Sequence, residues 1–252
     1  MSIDTKYVET VVTGKIVEAL DYARARRSFV LISGTTGRGK SYTAARWAEA
    51  NRATMIRAVS GASRRAFLAQ LCAALHVDVR PGASATVMLG KLCDQVTDKD
   101  MIIVDEAGFL LPRASRVACA LEILRDLYDI CRVPVALIFT DVYLRDLSAG
   151  VQADYFEQFK GRIGRRVEIP DRVYRSEVAA VCRAYIPDAS DRLNAGALAA
   201  TRKREGRLRT LFDDWAKAAE YAACEGRSVN EADFRAAVNW RRAGGVWPTE
   251  EE

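Results

Sequence analysis

Residues Gly34-Thr35-Thr36-Gly37-Arg38-Gly39-Lys40-Ser41 form a glycine-rich octet whose spacing suits the cradling of phosphates. Its glycines let backbone N–H groups point inward, Lys40 supplies a cation to the outer phosphates, and the Ser41 hydroxyl can complete a magnesium shell. Tyr42 follows directly and is grouped with the residues expected to contact the nucleotide. A helix beginning here would add its positive dipole end. A turn bearing a surface lysine is the plain alternative.

Further along, the apolar run Ile102-Ile103-Val104 ends in Asp105-Glu106. A carboxylate emerging from a buried strand can hold metal-bound water, and a neighbouring one can polarise an attacking water, so Asp105 is assigned to the metal and Glu106 to the general base. Thr140 ends the next apolar run, Val135 to Phe139, where a hydroxyl can position the lytic water or sense the γ-phosphate; an ordinary strand-end turn is the other reading.

These groups need a scaffold that brings strand ends together. Thr13 to Arg26 has helical periodicity and leads into the apolar strand Phe29 to Ser33; the octet follows, and Ser41 to Asn51 is helical again. A strand from Thr54 to Val59 precedes a helix over Ser63 to Leu75, opened by a serine cap. After a break at Pro81 to Ser84, the pattern predicts a helix over Ala85 to Val96, the strand ending at Val104, a helix from about Ser115 to Ile130, and strands at Val135 to Phe139 and Arg166 to Ile169. Unbroken apolar strands separated by helices imply an α/β fold, a parallel sheet covered on both faces in three layers.

Past Pro170 the strands stop, and Asp171 to Tyr185, Ser190 to Thr201, Arg207 to Cys224 and Asn230 to Trp240 read as helices. The expected organisation is an α/β nucleotide-binding domain over 1–170, a helical lid over 171–242, and a flexible acidic tail over 243–252, where Trp247 lies. The net charge is +5, with basic runs at Arg24 to Arg27, Arg64-Arg65, Arg162 to Arg166, Arg202 to Arg204 and Arg241-Arg242, which is compatible with a polyanionic partner. No stretch approaches the roughly 20 apolar residues of a membrane helix, and the polar start lacks a signal peptide's apolar segment, so a cytoplasmic protein is expected. The six cysteines form no C-x-x-C pair and read as reduced core residues, and the single histidine, His76, follows a helix end and reads as structural.

The order of phosphate loop, Asp-Glu strand, strand ending in Thr140, the segment Phe159-Lys160-Gly161-Arg162-Ile163 and a helical tail resembles an AAA+ ATPase. Asp105-Glu106-Ala107, the pair Leu110-Leu111, the helix containing Leu121 to Arg125, and Pro134 before a strand are similar to the transposition-activator group, which includes the Mu phage B protein and Tn7-type regulator ATPases. The resemblance covers about Thr13 to Trp240 and implies ATP and Mg2+ as ligands, a P-loop AAA+ sheet domain with a helical lid, and ATP hydrolysis. In such ATPases an arginine after the sensor strand reaches a neighbouring subunit's nucleotide. Arg162 occupies that place, with Gly161 where the family carries serine, and Arg165 or Arg166 are alternatives. Gly206-Arg207-Leu208-Arg209 resembles the lid signature whose arginine touches phosphates, which selects Arg209, although the surrounding Lys203, Arg204 and Arg207 could equally make a solvated basic face.

The helix opening with Ser63-Arg64-Arg65 matches the family's channel-lining region, so Arg64 and Arg65 are assigned to non-specific contact with DNA phosphates, against the alternative of a solvated helix start. No helix-turn-helix or zinc finger is evident, and the Mu phage protein's extra N-terminal DNA-binding domain has no counterpart in Met1 to Val12. The leading expectation is a DNA-binding ATPase that assembles as a ring or filament on duplex DNA, with ATP between subunits, and presents target DNA to a transposase. The alternatives are an assembly or secretion ATPase acting on protein, and a nucleotide-binding scaffold without turnover.

Overall fold

The computed structural model describes residues 6–97, 99–111, 120–141, 159, 161–201 and 207–244. They divide into two compact units: one comprises Thr13–Thr35 and Lys40–Ile169, the other Met1–Val12, Thr36–Gly39 and Pro170–Glu252. The helical unit thus combines the chain from Pro170 onward with the chain start and the tip of the glycine-rich loop.

The first unit is built on a five-stranded sheet, β1 (Phe29–Gly34), β2 (Thr54–Arg57), β3 (Ile102–Asp105), β4 (Val135–Phe139) and β5 (Ile163–Ile169), in the order β2-β3-β4-β1-β5. Every pairing is parallel. Each crossover therefore needs a covering element: α1 (Val11–Arg26) precedes β1, and α2 (Lys40–Asn51), α3 (Arg64–Ala74), α4 (Ala85–Gln95) and α5 (Leu121–Cys131) lie between strands in sequence.

All residues of β1, β3 and β4 are buried, the signature of strands covered on both faces. Alternate residues serve opposite faces. Phe29, Leu31, Ile102, Val104, Val135, Leu137 and Phe139 join one cluster with Phe67, Leu68 and Leu71 of α3, Met88 and Leu92 of α4, and Ile123, Leu124 and Leu127 of α5. Val30, Ile32, Ile103, Ala136 and Ile138 are also buried and point the other way, as are Ile16, Leu20 and Ala23 of α1 and Ala44, Trp47 and Ala48 of α2. Trp47 Nε1 donates to Asp21 Oδ1 at 2.9 Å, which ties α2 to α1.

Local chemistry sets the element ends. Ser63 Oγ accepts from the N–H of Ala66 at 3.1 Å and Ser84 Oγ from that of Val87 at 3.3 Å, satisfying orphan amides at the starts of α3 and α4. His76, at φ 56°, takes the left-handed conformation just past α3 and is a chain-reversing residue. The strand β5 begins three residues earlier than Arg166, because Gly164 lies where a Cβ would come within 2.8 Å of Ser28 Oγ and 2.9 Å of Tyr22. Its lack of a side chain lets the chain join the sheet edge there. The expected helix start at Ser115 lies outside the described residues, and the visible helix runs Leu121–Cys131.

The second unit consists of α6 (Arg175–Tyr185), α7 (Asp191–Thr201), α8 (Arg207–Cys224) and α9 (Glu231–Arg242). Val178, Val181, Cys182, Leu193, Leu211, Trp215 and Phe234 form its core, with the ring of Trp215 stacked between Tyr185 at 5.0 Å and Phe234 at 4.4 Å. Val8 joins this core and Lys6 Nζ donates to the carbonyl of Ala184 at 2.7 Å, so the chain start is a working part of the unit. No helix among the described residues is long and apolar enough to cross a membrane. Cys72 and Cys182 are buried as expected, whereas Cys224 is exposed.

Candidate nucleotide-binding site

The octet leaves the end of β1 with Gly34 at φ 153°, where a Cβ would lie 2.7 Å from the carbonyl oxygen of Ile169 on neighbouring β5. Only glycine fits there. Gly37 and Gly39, at φ 81° and 80°, reverse the chain on both sides of Arg38, so the loop curls around its amides before α2 starts at Lys40. Lys40 is buried, and its ammonium donates to the carbonyls of Gly34 at 2.6 Å and Thr35 at 2.8 Å. The cation therefore folds back onto the first residues of its own loop.

Asp105 closes β3, buried, and its Oδ1 accepts from Ser41 Oγ at 3.0 Å and from the N–H of Glu106 at 3.0 Å. The two residues are 64 positions apart, and the sheet brings them together. The oxygen donors fit a magnesium ion: ligands about 2.0–2.1 Å from an octahedral Mg2+ stand about 2.9 Å apart when adjacent, close to the observed Ser41–Asp105 spacing. Glu106 follows in the left-handed region, φ 52° and ψ 38°, which turns its side chain off the line of β3. There its Oε1 lies 3.8 Å from Nη2 of Arg57, the last residue of β2 and the register partner of Asp105. Periodicity could not have singled out Arg57, because its proximity to Glu106 depends on strand register.

β4 stands between β1 and β3, and Thr140 is the first residue beyond it, half-buried. The loop, Thr140 and Asp105 thus emerge from the carboxyl ends of three consecutive strands, where ligands of open parallel sheets bind. Tyr42 is exposed at the first turn of α2.

Arg38 points elsewhere. Its side chain is 1% exposed, and it donates from Nε to the carbonyl of Pro170 at 3.0 Å and from Nη2 to the carbonyl of Arg172 at 3.1 Å and to Glu177 Oε2 at 2.8 Å. The backbone N–H of Arg209, in the first turn of α8, donates to the carbonyl of Gly37 at 3.3 Å, while the Arg209 side chain is exposed. Residues 36–39 belong to the helical unit, so all of these contacts lie inside it.

Arg162 immediately precedes β5, and its carbonyl accepts from the N–H of Phe29 at the start of β1. Five residue steps separate Phe29 from Gly34, about 16 Å at strand rise, so within its own chain Arg162 stands at the opposite end of the sheet from the loop. Its guanidinium makes a bidentate pair with Asp129 of α5 at 2.7 and 2.6 Å, and this pair holds the Asp129 carboxyl below its ordinary range. Arg165 pairs with Glu18 of α1 at 3.0 Å, and Arg166 is exposed. Arg64 pairs with Glu122 at 3.1 Å and Asp126 at 3.3 Å of α5, a bridge that also relieves a cation at a helix amino end, whereas Arg65 is exposed. Lys160, Lys203, Arg204, Gly206 and Trp247 lie outside the described residues.

Residues 23–147 match the family model of an AAA domain. Among solved structures the chain is similar to Drosophila ORC bound to DNA (15% identity, TM-score 0.59, covering 90% of this chain and 59% of that one). It is also similar to a Walker-type ATPase of Pyrococcus abyssi (14% identity, TM-score 0.56, 97% and 77% covered). A third likeness is to the Thermotoga maritima RuvB Holliday junction branch migration motor (17% identity, TM-score 0.50, 92% and 69% covered). The chain spans less than two thirds of the Drosophila chain, and at these identities the likeness concerns the fold. No curated protein matches. With its loop at the end of β1, its acidic pair at the end of β3 and its all-parallel sheet, the chain has the α/β fold of P-loop nucleoside triphosphatases, and its segment 23–147 is similar to AAA domains.

Proposed function

We propose that the protein is a magnesium-dependent ATPase that assembles on duplex DNA according to its nucleotide state and serves a transposase, in the manner of the transposition-activator group. The observation that carries the ATPase reading is the convergence of Lys40, Ser41, Asp105 and Glu106 at the carboxyl end of one sheet. The loop amides and Lys40 would bind the phosphates, and Ser41 with Asp105 would hold Mg2+, which would supply neutralising charge for the triphosphate. Glu106 accepts a proton from the attacking water once it leaves Arg57, and the Thr140 hydroxyl orients that water.

Two features support assembly. Arg162 lies about 16 Å of strand from its own loop, so an arginine finger at that position acts on a neighbour's nucleotide. Arg209 reaches the loop tip through its backbone and presents its guanidinium to solvent, as a lid arginine awaiting phosphate would. For DNA, Arg65 is the exposed cation at the start of α3, while Arg64 must exchange Glu122 and Asp126 for a phosphate. Two structural neighbours, ORC bound to DNA and a Holliday junction branch migration motor, give the DNA reading its precedent.

The test is gel filtration and duplex-DNA binding of the full chain with ATP, ADP and a non-hydrolysable ATP analogue across a salt series. Larger assemblies and tighter binding with the analogue than with ADP, with a log–log salt slope shallower by about one in Arg65→Ala, are expected. Assembly size and DNA affinity indifferent to nucleotide would refute the proposal. Added transposase should then be recruited only to the ATP-bound assembly.

A further inference from the structure

The side chain of Arg38 poses a problem the phosphate chemistry does not solve. It occupies a free-choice position of the loop, yet among the described residues it is the largest charged side chain carried fully inside, and its partner Glu177 is equally buried. The pair is not fully satisfied: Arg38 Nη1 and Glu177 Oε1 have no hydrogen-bond partner among the described residues. Desolvating two charges without satisfying all their polar atoms is a poor way to gain stability, and an apolar pair of similar volume would serve packing at least as well. A polar arrangement kept at such a cost points to a need for position.

What it positions is visible on both sides of the contact. Arg38 sits between two glycines at positive φ, so its backbone conformation sets the direction of the loop amides. Its guanidinium is fixed by the carbonyls of Pro170 and Arg172 and by Glu177, and Glu177 Oε2 also accepts from the N–H of Tyr174 at 2.9 Å at the start of α6. The carbonyl of Gly37 is held from α8 by the amide of Arg209. The tip of the phosphate loop is thus anchored in the first turns of two helices, while its ends continue into β1 and α2 of the sheet unit.

We infer that Arg38 is a positioning residue: through Glu177 and the two carbonyls, the helical unit sets the shape of the phosphate loop, so that nucleotide occupancy is transmitted to α6 and α8 and their state feeds back on affinity. Such coupling is reciprocal, the same factor acting in both directions. The inference rests on the nucleotide-binding reading of the loop and adds to it a route by which the loop addresses the helices. It requires no contact between Arg38 and the nucleotide.

The test compares the full chain with Arg38→Met and Glu177→Gln, measuring Mg·ATP and Mg·ADP affinity together with hydrogen exchange of residues 175–185 and 207–224 with and without nucleotide. In the parent chain nucleotide should slow exchange in both helices. In Arg38→Met the affinity should fall about tenfold or more and that slowing should vanish, while α2 is still protected on binding. Glu177→Gln, which keeps an acceptor for Arg38 and the cap of α6, should retain part of the coupling, and it carries the test if Arg38→Met does not fold. Variants that bind nucleotide as tightly as the parent, with undiminished protection of α6 and α8, would overturn the inference even if their melting temperatures fell. A parent chain without magnesium-dependent nucleotide binding would instead remove the reading beneath it.

Discussion

The two units bury charge for different purposes. In the sheet unit, the described charged side chains that reach the interior are Lys40 and Asp105, and both face the glycine-rich loop. There Lys40 donates to two carbonyls, and Asp105 accepts from a hydroxyl and an amide. Among the described residues of the helical unit the buried charges are Arg38, Glu177, Asp214 and Asp233, and each has an ionic partner: Arg38 with Glu177, Arg241 on Asp214 at 2.6 and 2.7 Å, and Arg227 on Asp233 at 2.6 Å from both nitrogens. Charge carried at the glycine-rich loop is held by single hydrogen bonds to backbone and hydroxyl groups, whereas the buried ion pairs join helices whose apolar core is small.

That contrast can be broken by exchanging the outcomes. Glu106→Gln and Asp105→Asn should each lower ATP turnover by about 10² to 10⁴-fold while leaving the thermal midpoint nearly unchanged, read by phosphate release and calorimetry. If either unfolded the protein, the charges of the sheet unit would be structural. Asp214→Ala should do the reverse, costing about 3–5 kcal/mol in the helical unit by stranding Arg241 over a buried gap, as read by denaturant unfolding.

A smaller effect sharpens the comparison through pH. The hydrogen-bonded Arg227 guanidinium holds the Asp233 carboxyl below its ordinary range, and the amide of Asn230 adds to this at the start of α9. A carboxylate with a depressed folded pKa contributes stability above its unfolded value of about 3.9, and loses it as pH falls through the folded value. Asp233→Asn should therefore lower the midpoint at pH 7 by the equivalent of about 1–2 kcal/mol, because Arg227 remains partly solvated, and should flatten the decline below about pH 4. The smallest effect is chemical. Burial, with Cys131 adding, pushes the Cys93 thiol up to about 12, and burial pushes Cys182 up to about 11. Both should label with a thiol reagent far more slowly than exposed Cys224, as site-resolved mass spectrometry would report.

The sheet unit was the more legible region because its signals are local. Apolar runs of four to six residues ending in loop chemistry specify β1, β3 and β4, and the acidic pair follows its strand directly. The helical unit's elements were visible from their periodicity, but its connections were not. Glu177 is 139 positions from Arg38, and no period links an arginine inside a glycine-rich loop to a glutamate in a later helix. The early start of β5 was hidden for a related reason. The run Ile163-Gly164-Arg165-Arg166 is polar at an exposed sheet edge, and the fit of Gly164 against Tyr22 and Ser28 depends on tertiary packing. That edge is also what carries Arg162 to the far end of the sheet. In the same way Arg57 meets Glu106, and Arg64 meets Glu122 and Asp126, through register and helix packing that a linear reading does not contain.

The central claim is that the loop over residues 34–41 binds a nucleoside triphosphate whose metal is held from Ser41 and Asp105. Calorimetric titration of ATP, with magnesium and with a chelator, into the parent chain and Lys40→Ala tests it most directly. Saturable, magnesium-dependent binding that weakens at least about 100-fold in the variant, with the fold retained by circular dichroism, is the predicted result. Absence of magnesium-dependent binding in the parent, or equal affinity in Lys40→Ala, would contradict it.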